Sequence, residues 1–123
     1  MKAETIALVD KSAILVRPKQ AYIDWANHFE DGGTALNIEE ARRDPDVFLI
    51  DELEDDFEHE PQKKKILREY YTTIFEHQLD SWMTDEGSWP QRRDLQIFLD
   101  WFDVEICSMV LNISKDPVQE ESY

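Results

Sequence analysis

Apolar residues fall along this chain in two registers: short continuous aliphatic runs, and longer stretches apolar at every third or fourth position. The first two runs are residues 5–9 (TIALV) and 13–17 (AILVR), separated by Asp10-Lys11-Ser12. A short polar loop of this kind joins antiparallel strands, so they form either a hairpin or an irregular arm leading into one strand. The second run is β-branched, continuous and stopped by Pro18, as a strand should be. Beyond it, Tyr22, Trp25, Ala26 and Phe29 lie at i, i+3, i+4 and i+7. That is one face of a helix entered near Pro18 and closed before Gly32-Gly33. Asn37 with Glu40 three positions on is a capping-box pattern, opening a short helix that Asp44-Pro45-Asp46 ends by Arg43. Residues 47–51 (VFLID) then read as a second buried strand.

The longest helix is expected from Lys63 to about Met83. Ile66, Leu67, Tyr70, Ile74, Phe75, Leu79 and Trp82 give it a broad apolar stripe. Gly87 and Pro90 break the pattern. A further helix carries Leu95, Phe98, Leu99 and Phe102 on one face, with Trp101 at its border. Residues 104–113 read as a last strand with Cys107, Met109, Leu111 and Ile113 on one face. Residues 114–123 form a polar tail. This order predicts an α+β fold in one domain spanning residues 1–123: a small sheet of three or four strands with helices packed mainly on one face. Helical crossovers permit some parallel pairing and leave the strand order open. Residues 82–102 hold Trp82, Trp89 and Trp101, three of the four tryptophans, and side chains this large anchor whatever packs on them. The other elements are expected to arrange themselves around that corner.

Charge narrows the partners. Twenty-eight acids against thirteen Lys and Arg leave a net charge of −15, a field that repels phosphate backbones and argues against direct nucleic-acid binding. Attraction to a basic protein surface is compatible with it, and so is a plain solubilising role. Nine of the acids lie in residues 44–60, uninterrupted by Lys or Arg. Mutual repulsion favours a solvated connection there, with Leu53 and Phe57 as its apolar contacts. Glu54, Asp55, Asp56 and Glu58 are therefore the candidate residues for a basic protein partner. No apolar run approaches the roughly 20 residues of a membrane span, and residues 1–9 lack the pattern of a secretory signal. With a single cysteine as well, these features point to a reducing, cytoplasmic setting.

Sequence motifs for chemistry are lacking. His28, His59 and His77 have no metal-ligand spacing, Cys107 stands alone, and residues 51–60 lack the ligand pattern and central glycine of a calcium loop. No metal or other cofactor is signalled. There is no GxSxG elbow, Gly32-Gly33 lacks the spacing of a phosphate loop, and carboxylate pairs such as Asp85 and Glu86 mean nothing without a cleft. Cys107, mid-strand among apolar neighbours, reads as a small buried hydrophobe. With no catalytic residue indicated, the leading reading is a non-enzymatic interaction or regulatory module. Trp89 sits in a turn outside any periodic stripe; burial in the core is the first reading, and a partly exposed contact with a partner is the alternative that makes it a candidate site residue.

A second reading is a small domain or enzyme binding an anionic ligand through Arg17, Lys19 and Gln20. Residues i and i+2 of an extended segment project together, and the helix start downstream adds free N–H donors. Against it, both cations can pair with nearby acids, Asp24 among them, and hold the junction together. The RPKQ-x3-DW motif (Arg17 to Trp25), the stretch from Trp82 to Trp89-Pro90, and Trp101-Phe102-Asp103 together resemble a family of small acidic bacterial proteins without an assigned activity. The resemblance spans roughly residues 13–111. It implies a shared fold and a bacterial cytoplasmic origin, and carries over no catalytic residues.

Overall fold

β2 (Lys11–Pro18) runs through the middle of a three-stranded sheet, flanked by β3 (Asp46–Asp51) and β4 (Phe102–Cys107), both antiparallel to it. The computed structural model describes residues 5–29, 35–54 and 58–123. The helices are α1 (Gln20–Asn27), α2 (Ile38–Ala41), α3 (Glu60–Trp82) and α4 (Leu95–Trp101). A second, two-stranded antiparallel sheet joins β1 (Ala7–Val9) to β5 (Val110–Asn112). The fold is α+β, as the order of periodicities predicts, and every strand pair is antiparallel.

Local chemistry sets the helix starts. Asn37 caps α2 by accepting from the N–H groups of Glu39 and Glu40, and Pro61 opens α3 where its missing N–H costs nothing. Asp94 caps α4 through the Ile97 N–H at 2.9 Å. That bond, reinforced by Arg92, holds the Asp94 carboxyl below the usual carboxylate range. Strand alternation then decides the core. Ser12, Ile14 and Val16 of β2 share a face with Phe48 and Ile50 of β3 and with Val104 and Ile106 of β4. That face meets Ile23 and Ala26 of α1, Ile74, Phe75 and Leu79 of α3, and Phe98 of α4 in one apolar cluster. Phe75, Phe98 and Phe102 lie at mutual ring distances of 5.6, 5.8 and 5.4 Å near its centre.

Three expectations are corrected and one open choice is decided. First, of the two readings of the N-terminal runs the hairpin is the one that fails: β1 pairs with β5, and the chain passes a bend at Asp10 into β2. Val9 faces Val110 and Ala13 faces Cys107, so residues 10–12 oppose only residues 108 and 109. Three residues against two mark the break between the two sheets. Buried Ser12 fixes it: Oγ donates to the Ser108 carbonyl at 3.0 Å and accepts the Leu53 N–H at 2.9 Å. Second, β3 is an edge strand, with Ile50 buried, Phe48 half-buried and Val47 and Leu49 exposed on the outer face. Third, the run 104–113 is split between β4 and β5. Cys107 is half-buried, and Met109, Leu111 and Ile113 are exposed. Fourth, Phe102 opens β4 instead of extending the α4 face. Ser12→Ala should cost about 1–3 kcal/mol, because the buried Ser108 and Leu53 backbone groups lose a shared partner. Urea denaturation would show it, and an unchanged midpoint would mean the junction between the sheets holds without the hydroxyl.

The tryptophan corner ties the helices together through three indole N–H groups. Trp82 Nε1 at the end of α3 donates to Ala26 O of α1 at 2.8 Å, and Trp25 Nε1 of α1 donates to Ser88 O at 3.0 Å. Trp89 Nε1 donates to Met83 O at 2.7 Å. Between them a 3-10 turn, Glu86–Ser88, is capped by Asp85 through the Gly87 N–H.

Candidate functional site

The end of β3 and the segment after it lie alongside the first half of α3, and between them opens a cleft of about 300 Å³. Its position follows from two anchors. The Asp51 N–H donates to Tyr70 Oη at 3.3 Å, and Leu53 is held by Ser12. Leu53, Ile66 and Tyr70, all half-buried and packed against the core cluster, provide its apolar surface. Asp51, Glu52, Glu54 and Glu69 supply exposed carboxylates around it, against one cation, Lys65. A cleft with an apolar floor and an acidic rim suits a long side chain whose stem is aliphatic and whose head is cationic. Tyr70 adds a ring over which a guanidinium can lie.

Sequence reasoning brought Glu54 to this site. Glu58 is exposed just before α3, while Asp55 and Asp56 lie outside the described residues. Asp51, Glu52, Glu69, Lys65 and Tyr70 were missed as site residues. The acidic run hinted at Asp51, but nothing in linear order pairs it with a helix face 15–20 positions on. Trp89 requires a correction. Its side chain is 8% exposed within the core cluster, its N–H is spent on Met83, and Arg93 lies 5.6 Å from the ring centroid. The turn folds the indole inward, so it offers no contact surface to a partner.

The three residues of the anion reading are each engaged inside the chain. Arg17 Nη1 lies 2.6 Å from Glu105 Oε1. Lys19 Nζ donates to Leu99 O at 2.7 Å and stands 3.8 Å from Asp103. Gln20 Nε2 donates to Asp24 at 2.8 Å. Arg42, for which no periodicity or spacing gave a signal, completes the junction by donating to Pro18 O at 2.9 Å and pairing with Asp103 at 2.7 Å. The cross-links run from β2, from Lys19 before α1 and from Arg42 after α2 to α4 and β4, and the acids opposite Arg17 and Lys19 are Glu105 and Asp103 instead of Asp24. Among the described residues, no group of three or more His, Cys, Asp and Glu side chains converges as a metal ion would need, and no helix is long and apolar enough to cross a membrane. Compared with known proteins, the chain matches no family model, no curated protein and no solved structure.

Proposed function

We propose that this chain is a non-enzymatic interaction module whose cleft between β3 and α3 receives a Lys or Arg side chain from a basic protein partner. The observation carrying this reading is the joining of four carboxylates to an apolar floor in one cleft. The chain's net charge of −15 supports it by steering a basic surface toward the molecule over long range. The partners that Arg17, Lys19 and Gln20 already hold inside the chain support it over the anionic-ligand reading.

An arginine-rich peptide is the probe. Binding should be measurable at low ionic strength and weaken as salt screens the charges. In nitrogen-resolved NMR the largest shifts should fall at Leu53, Ile66 and Tyr70. The double variant Glu54→Gln/Glu69→Gln should weaken the peptide by about three- to tenfold, since each rim charge is worth up to about 1 kcal/mol. Glu120→Gln/Glu121→Gln removes the same charge from the exposed tail and serves as the control. An equal loss in the two variants would reduce the effect to net charge and end the cleft reading.

A further inference from the structure

We infer that the β1–β5 ribbon is the interface through which two copies of this chain associate. Ile6, Leu8, Met109, Leu111 and Ile113 are large aliphatic side chains gathered at this ribbon, with exposures from 53% at Leu111 to 78% at Ile113. Leu8 faces Leu111 directly across the ladder, so the two stand on one side of the ribbon. Among the described residues β1 and β5 pair only with each other, leaving an open backbone edge on each strand. A lone two-stranded ribbon is marginal in water, and an uncovered apolar face with free edges is the usual mark of a surface that is covered in use.

Charge selects the occupant. Residues 5–9 and 109–114 contain no Asp, Glu, Lys or Arg, in a chain carrying −15. A basic partner finds no counter-charge there, whereas a second copy meets an equally neutral, equally aliphatic face. The ribbon is thus a place where two copies of so acidic a chain come together without setting like charges opposite each other. A two-fold arrangement satisfies both sides with one patch, and each copy contributes the same residues. Repulsion between the acidic bodies still opposes association, so this dimer strengthens with added salt. Binding of a basic peptide at the cleft responds in the opposite sense, and the two ideas fail independently.

Sedimentation equilibrium of the full chain, at low and high salt and over a wide concentration range, is the test. A monomer–dimer equilibrium is expected, with a smaller Kd at high salt. Leu8→Asp/Leu111→Asp should raise Kd by about tenfold or more, as expected when buried aliphatic contacts are replaced by charge. Ile113→Asp, just beyond the end of β5, should weaken the dimer in the same direction without altering a ladder residue. Circular dichroism of both variants reports that the core remains folded. A wild-type chain that stays monomeric at high salt would overturn the inference, as would a dimer whose Kd neither variant changes.

Discussion

Trp89→Ala is expected to lower unfolding free energy by about 3–5 kcal/mol, the usual cost of truncating a buried aromatic. For a domain with a total stability of roughly 5–15 kcal/mol that is a large share. The loss has three parts. The indole leaves a cavity in the apolar cluster to which it belongs. The Met83 carbonyl at the end of α3 loses its donor. The Arg93 guanidinium loses the ring beside it. Trp89→Phe keeps most of the apolar area and gives up the hydrogen bond, so it should cost nearer 1 kcal/mol. Trp101→Ala should fall between them, because its half-buried ring still touches Tyr22, Trp25 and Phe75 at 6.4, 5.9 and 5.8 Å. Chemical denaturation of the three variants would order these losses. Near-zero losses for both alanine variants would remove the corner from the centre of the fold.

The legible parts of this fold are those written in local periodicity. The stripe from Ile66 to Trp82 placed α3 within a few residues, and Pro18 stopped β2 where the structure ends it. What failed was long-range. Residues 5–9 and 13–17 have a composition that suits a hairpin or an arm equally, and the choice is made by the distant Val110–Asn112 segment that pairs with β1, together with Ser12 bonding to Ser108. Edge or centre is likewise invisible in composition. Val47-Phe48-Leu49-Ile50 and Ala13-Ile14-Leu15-Val16 look alike as sequence, yet β3 has a neighbour on one side and β2 on both.

The site was half legible for the same reason. The density of acids around Glu54 was visible, but the helix face carrying Glu69 and Tyr70 opposite it depends on how α3 packs. The cations at 17 and 19 were visible too. Their partners Glu105 and Asp103 lie more than eighty positions away, on a strand whose register the sequence leaves open. Inward or outward placement of a turn residue such as Trp89 is a tertiary decision, and periodicity says nothing about it.

Alkaline pH should expose the strain of burying one phenol. Tyr22 of α1 is buried in the core, donates from Oη to Gln78 O at 2.9 Å, and has its ring centroid 5.1 Å from that of Phe102. Burial pushes its pKa up from 10.0 to about 12, and the negative charge of Asp46 adds to the shift. Because the folded value is raised, the stabilisation is fully present below pH 10, where the phenol is protonated in both states. Between pH 10 and 12 the unfolded chain ionises and the folded one does not, so the equilibrium moves toward unfolding as pH rises. Two units correspond to a loss on the order of 3 kcal/mol across that window. To isolate the phenol, wild type must be compared with Tyr22→Phe. At neutral pH the variant should be less stable by about 1–3 kcal/mol, because the Gln78 carbonyl loses its donor. Its stability should then fall less steeply with pH, and the two curves should converge as pH approaches 12. Denaturation midpoints for the two proteins, measured in parallel through the window, decide the matter. Curves that stay a constant distance apart would mean that the Tyr22 phenol ionises as readily in the folded protein as in the unfolded chain.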